Sequence, residues 1–190
     1  MRLARSIVLL ATTFAIGLTA CSTGPAIRTD VDPGANLNSY KTFGFYERVS
    51  TDRNSYTTLV STRLKEATRR ELEKRGYQYA PDPQLLVNFN VNVENRQDVR
   101  STPAAGYYGY RTGMYGVWGG YPQDIQTVHY QQGTLTIDLV DAARKQLVWQ
   151  GVAQGRIQKK AVQNPGPAID KAVADIFARF PIPASDTPAQ

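Results

Sequence analysis

The chain has 190 residues, of which 42% are hydrophobic, 20% charged and 10% aromatic, and its formal charge is +6. That length supports one hydrophobic core but not comfortably two, and the basic residues are mixed with acidic ones, as in "RLKEATRRELEKR", so there is no footprint of a nucleic-acid-binding protein. A lone cysteine, Cys21, excludes an internal disulfide, and a lone histidine, His129, excludes a histidine-cluster metal site.

The N-terminus is "MRLARSIVLLATTFAIGLTAC". A basic start at Arg2 and Arg5, an apolar run from Ile7 to Leu18 and small residues before Cys21 form the pattern of a secretory signal peptide. The run is shorter than the roughly 20 apolar residues of a membrane-spanning helix. The tetrad "LTAC" resembles the bacterial lipobox, in which the cysteine becomes the lipidated first residue of the mature protein. Stable anchoring takes more than one acyl chain, each buried methylene contributing about 0.8 kcal/mol. The alternatives are an ordinary signal peptide that leaves a free thiol, and an uncleaved signal anchor. Residues 1–20 are thus predicted to be a lipoprotein signal peptide, and Cys21 the lipid attachment point. Ser22 follows; in Gram-negative lipoproteins an aspartate there holds the product at the inner membrane. Serine therefore points to the periplasmic face of the outer membrane, with the inner membrane as the alternative. Loss of Arg2 and Arg5 with the signal lowers the charge from +6 to +4.

Residues 21–25 form a tether that reaches at most about 20 Å when extended. Residues 26–181 are predicted to be a single domain. In "AIRTDVDPGANLNSYKTFGFYER" two short strands flank a turn at Asp32-Pro33-Gly34, where proline presets φ and glycine accepts a positive φ. Thr42, Phe43, Phe45 and Tyr46 favour strand. "SYTTLVSTRLKEATRRELEKRGY" is predicted to be a helix, with Leu59, Val60, Leu64, Ala67 and Leu72 on one stripe. Ser55 suits its N-cap and Gly76 its C-terminal stop. Glu66 with Arg70, and Glu71 with Arg75, are favourable pairs on the exposed side.

"LLVNFNVNVE" alternates strictly. Leu85, Val87, Phe89, Val91 and Val93 form an inward face, and Asn88, Asn90, Asn92 and Glu94 an outward one. "GTLTIDLVDAARKQLVWQGVAQGRI" is a hairpin with a polar loop from Asp141 to Gln146 and with Trp149 in the core. "GPAIDKAVADIFARFP" is a helix whose apolar stripe runs through Ile169, Ala172, Val173, Ile176, Phe177 and Phe180. Pro167 suits its first turn and Pro181 its end. Residues 182–190 are predicted to be a disordered tail. The fold class is α+β, a two-layer sandwich in the order β-β-α-β-β-β-α, with both helices on one face of a mostly antiparallel sheet. Leu64, Val87, Phe89, Ile137, Trp149, Val173 and Phe177 are the expected core.

The hairpin "GTLTIDLVDAARKQLVWQGVA", the stretch "DVDPGANLNSYKTFGF" and the last helix running into "FP" together resemble the domain of unknown function 4136, a family of bacterial lipoproteins. The resemblance covers about residues 26 to 181. It implies a single α/β domain on a lipid anchor and brings no catalytic residues.

Chemistry is sparse. With Cys21 lipidated no thiol nucleophile remains, and no "GxSxG" elbow, phosphate loop or dinucleotide fingerprint occurs. Asp138 and Asp141 are three apart in a strand and so point to opposite faces; Asp141 better suits the turn. Asp30 and Asp32 share a face, but Asp32 precedes Pro33 and suits a turn. No enzyme activity, cofactor or metal is expected. The unusual segment is the Gly/Tyr-rich loop 103–122. Its run "GYYGYRTGMYGVWGGY" holds six glycines, five tyrosines and a tryptophan in residues 106–121. Long loops of this kind are functional or disordered, and tyrosine gives contact area at low entropy cost. Tyr107, Tyr108, Tyr110, Arg111, Tyr115, Trp118 and Tyr121 are the candidate contact residues. The expected role is a non-catalytic structural or accessory one in the cell envelope. The membrane is the first partner, through the anchor, and envelope proteins or glycans are the second. A glycan- or small-ligand-binding module that uses the aromatic loop is the alternative.

Overall fold

The computed structural model describes residues 24–52, 57–103 and 123–184. Its elements are β1 (Ala26–Val31), β2 (Thr42–Phe45), α1 (Leu59–Glu73), β3 (Gln78–Tyr79), β4 (Leu85–Pro103), β5 (Gln123–Asp141), β6 (Gln146–Arg156), α2 (Lys159–Gln163) and α3 (Pro165–Phe177). The strands form one sheet in the order β1-β6-β5-β4-β2-β3. The long ladders β1/β6, β4/β5 and β5/β6 are antiparallel, while β2 runs parallel to both β3 and β4. The architecture is the expected α+β class, with a mixed sheet. The β3 strand and the short α2 helix are additions to the predicted order.

The two predicted strands at the start of the domain do flank the Asp32 turn. Asp32 Oδ1 accepts from Gly34 N at 2.9 Å, and Asp32 O accepts from Ala35 N at 2.9 Å. The turn does not use the conformational freedom of Gly34, because among the described glycines only Gly76 has a positive φ. Nor do the two strands pair with each other: β1 lies at one edge of the sheet and β2 beyond β4 on the other side.

Helix α1 starts at Thr58, whose Oγ1 accepts from Ser61 N; Ser55, the predicted cap, lies outside the described residues. It ends at Gly76, with φ +84°. There Tyr77 N donates to Leu72 O and Gly76 N to Glu73 O. This doubled capping satisfies the last carbonyls and needs a left-handed residue, which glycine supplies at no steric cost. Leu64, Ala67 and Leu72 are buried, as the stripe predicts, but Leu59 in the first turn is 79% exposed. Glu66 does not take Arg70, which instead reaches Asp170 on α3 at 2.6 Å. The Glu71–Arg75 pair forms, but its side chains are mostly covered rather than exposed.

Helix α3 presents Val173, Ile176 and Phe177 to the sheet, all fully buried, and Phe180 follows. It packs against α1 and against β6 and β1. The shared core joins Phe43, Leu85, Val87, Phe89, Ile137, Leu139 and Trp149 from the strands to both helical stripes. Every expected core residue is buried. A Cβ on Gly151 would stand 2.3 Å from Ile176 Cγ2 and 2.6 Å from Trp149 Cη2. Bare backbone at that position lets α3 and the indole press onto β6. Ile182, expected to begin the tail, packs on the core.

Candidate functional site

The most unusual feature is the β4–β5 hairpin. Each strand has 19 residues, well beyond the 3–10 typical of globular proteins. Their register is unbroken from Leu85↔Asp141 to Pro103↔Gln123. On one side β2 pairs with β4 only as far as Val87. On the other, β6 follows β5 no further than Gln132↔Arg156, plus a bond from Ile157 N to Gln131 O. Outside those limits the hairpin is, among the described residues, a two-stranded arm. The chain that joins its far ends, residues 104–122, carries the Tyr/Gly run; its candidate contact residues lie outside the described residues, as does Cys21.

Strand alternation gives the arm two unlike faces. One continues the core side and carries Val91, Val93, Val99, His129 and Ile125. The inward face of "LLVNFNVNVE" is therefore shorter than predicted: Phe89 is fully buried, but Val91 is 44% and Val93 50% exposed. Farther out that face turns mostly polar, with Asn95, Gln97, Thr127, His129 and Gln131 around Val99, 66% exposed, and Ile125, 64% exposed. These exposed valine and isoleucine side chains lie outside the buried core.

The opposite face is charged and alternates in sign along β4: Glu94, Arg96, Asp98, Arg100. Arg96 Nη2 reaches Glu94 Oε2 at 2.7 Å. Arg156 from β6 pairs with Asp98 and lies over the Tyr130 ring, its guanidinium carbon 3.7 Å from the centroid. These contacts brace the root of the arm. Two of the three asparagines nearer the body are already engaged: Asn88 Oδ1 accepts from Ser50 N at 3.1 Å, and Asn92 Nδ2 donates to Glu94 at 3.0 Å.

The other polar cluster lies at the opposite end of the hairpin. Asp141 Oδ1 accepts from Arg144 N at 2.8 Å. Its Oδ2 accepts from Tyr40 Oη at 2.8 Å and Arg144 Nε at 2.9 Å. Arg144 Nη2 also donates to Tyr40 Oη at 2.9 Å. The amide of Arg144, then the Tyr40 hydroxyl and the guanidinium, hold the Asp141 carboxyl at about 2, against the cost of burial. Burial, followed by the bond to Asp141, pushes the Tyr40 phenol up. A carboxylate kept charged by every neighbour is a poor proton shuttle; it clamps the β5–β6 turn, where Lys145 has φ 53°, to the segment before β2. Sequence gives Asp141 its turn role but not its partner Tyr40, which is 101 residues away.

This clamp has a pH signature. A carboxyl whose pKa falls on folding stabilises the fold above its unfolded pKa of about 3.9, and that contribution is lost as pH falls through about 2. Asp141→Asn is expected to cost about 1.5–3 kcal/mol at pH 7, the range for a hydrogen-bonded charge. The gap to wild type should narrow between pH 4 and pH 2. Urea unfolding at several pH values checks this, and a gap constant with pH would contradict it.

His129 sits within β5 opposite Gln97 and is exposed. Asp138 is occupied by Gln150 Nε2 at 2.9 Å, and Asp32 by the turn and by Gln146 Nε2 at 2.7 Å. Among the described residues no three His, Cys, Asp or Glu side chains gather to hold a metal ion. None of the described helices is long and apolar enough to cross a membrane.

These features define a class: an α+β domain with an open mixed sheet, two packed helices on its core side and a hairpin that outruns the sheet. The family model for Domain of unknown function (DUF4136) matches residues 27–182, and the chain belongs to that family. No curated protein matches the chain by sequence. Among solved structures, a PDZ domain protein from Parabacteroides distasonis is similar at 13% identity and a TM-score of 0.54, over 86% of this chain and 38% of that one. The chain thus spans well under half the length of that protein, and the likeness shows the fold alone. PelC from Paraburkholderia phytofirmans, crystallised as a dodecamer, matches at 13% identity and a TM-score of 0.46, over 85% of this chain and 99% of that one.

Proposed function

We propose that the protein is a lipid-anchored accessory component of the cell envelope that acts by binding, not catalysis, with the β4–β5 arm as its binding element. The observation that carries this reading is the ladder that runs on to Pro103↔Gln123 after the neighbouring strands have stopped. Side chains on such a ribbon contribute little to the core, so the exposed Val91, Val93, Val99 and Ile125 among its polar residues are better explained by contact with a partner. The Tyr/Gly run would extend that contact area. The "LTAC" pattern supports attachment at Cys21 to the periplasmic face of the outer membrane.

Two experiments test the reading. Cys21→Ser should leave an unprocessed precursor that does not incorporate labelled palmitate; normal cleavage and membrane retention in that variant would remove the anchor from the proposal. Excising residues 95–131 and joining Glu94 to Gln132 through an Asn-Gly turn should change the melting temperature by no more than a few degrees, since about 1 kcal/mol corresponds to 2–4 °C in a domain of this size. The same excision should abolish protein cross-links in intact cells. Unchanged cross-links with an intact fold would show that the arm is not the binding element.

A further inference from the structure

We infer that the free edge of β4 is a self-association surface, on which the arm of a second copy of this chain pairs antiparallel about a twofold axis through Gln97. This goes beyond the envelope role above and does not depend on the lipid anchor.

The first observation is an open edge. Among the described residues no strand pairs with that side of β4 beyond Val87. Tyr46 N donates to Val87 O at 3.2 Å, so the odd-numbered residues of β4 turn their backbone groups toward this edge. With no bulge in the β4–β5 register, Asn95, Gln97 and Val99 do the same. A row of such groups is a template for another strand, and an isolated two-stranded ribbon is only marginally stable in water.

The second observation identifies the occupant. With Gln97 facing the partner's Gln97, Glu94 opposes the partner's Arg100 and Arg96 opposes the partner's Asp98, and the symmetry repeats both pairs. Four opposite-charge pairs result, all on one face. They fall at the non-hydrogen-bonded positions, where side chains across the ladder are closest. Moving the axis to Asp98 sets Asp98 against itself and Arg96 against Arg100. Moving it to Arg96 sets Arg96 against itself and Glu94 against Asp98. A half-step would turn the valine face onto the charged face. The charge order along β4 is self-complementary in the Gln97 register and self-repelling in the neighbouring ones. A twofold, isologous contact is also the commonest form of self-association. The bonds that Glu94 and Asp98 make within the chain leave room for it, because an ionised carboxylate accepts several donors.

The test uses the full chain in its own cells, with wild type, which has Cys21 alone, as control. In the Gln97 register the two residues at the axis have Cα atoms about 5.5 Å apart, within the range of about 4.4–6.8 Å that a disulfide spans. Two copies of residue 99 stand about 14 Å apart along the strands. Mild oxidation should convert most of Gln97→Cys to a dimer linked at position 97 and leave Val99→Cys monomeric. Asn95→Cys co-expressed with Val99→Cys should give the mixed dimer. For the purified full chain in detergent, Arg96→Asp and Asp98→Arg should each weaken self-association about tenfold, because each sets like charges opposite one another, and an equimolar mixture should restore it. Absence of the 97–97 link, equal linking at Val99→Cys, capture of a different protein at position 97, or failure of the mixture to restore association would each overturn the proposal.

Discussion

Phe177→Ala is expected to remove about 4 kcal/mol of stability, within the 3–5 kcal/mol typical of a buried phenylalanine. Its ring is fully buried and stacks at 5.4 Å on Trp149 and 5.5 Å on Phe180, which in turn meets Trp149 at 4.9 Å. Strand β6 lies on one side of this cluster and the end of α3 on the other, so neither can close the void without giving up its own contacts. The melting temperature should fall by about 8–16 °C, at 2–4 °C per kcal/mol. Denaturant unfolding would check the size of the effect, and a loss below about 1 kcal/mol would mean that this end of α3 is not anchored as described.

Arg75→Met should cost about 2–4 kcal/mol, approaching the range for breaking a buried ion pair. Arg75 is only 6% exposed. Its Nη1 bonds Glu71 at 2.8 Å, its Nη2 bonds the Phe177 carbonyl at 2.7 Å, and its guanidinium lies 5.4 Å from the Phe177 ring centroid. Burial works against ionised Glu71, but the bonds from Lys74 and Arg75 outweigh it and hold the carboxyl below its usual range. Methionine fills the space yet leaves half of the Glu71 carboxylate without its partner, and the Phe177 carbonyl keeps only its bond from Phe180 N. Arg75→Lys should recover part of the loss, because an ammonium cannot bond both acceptors with the fork geometry of arginine. Equal stability of Arg75→Met and wild type in urea unfolding would argue against the bridge.

The core was legible where one pattern met one covering layer. Leu64, Ala67 and Leu72 on α1, Val173 and Phe177 on α3, and Leu85 to Phe89 on β4 follow periodicity directly into the interior. The pattern misleads where its cover runs out. Val91 and Val93 continue the alternation of Val87 and Phe89, but alternation reports which residues share a face and not whether anything lies on that face. Leu59 fails likewise, one turn ahead of Leu64. The parallel pairing of β2 was hidden because β3 has two residues and is held by contacts such as Gln78 N to Lys41 O, which no local signal encodes. For the candidate site, the Tyr/Gly run announces itself by composition. The arm beneath it does not, since "NRQDVRSTP" and "QDIQTVHYQQ" are polar stretches, the first dotted with the turn-favouring Asn95, Asp98, Ser101 and Pro103, whose strand character comes from facing each other.

The position of β1 bears on the order in which the chain can fold. Among the described residues its ladder is to β6 alone, with Ala26 opposite Gln154, and three strands separate it from β2 in the sheet. Synthesis delivers β1 first, yet its hydrogen-bonding mate comes nearly last. The β5–β6 hairpin can close early through its short turn, whereas joining β1 must bear the loop-closure entropy of most of the domain. Until then the nascent chain holds an unsatisfied strand at its leading end. The domain is therefore expected to resist protease only once β6 is available, and chains cut short before Gln146 should remain protease-sensitive.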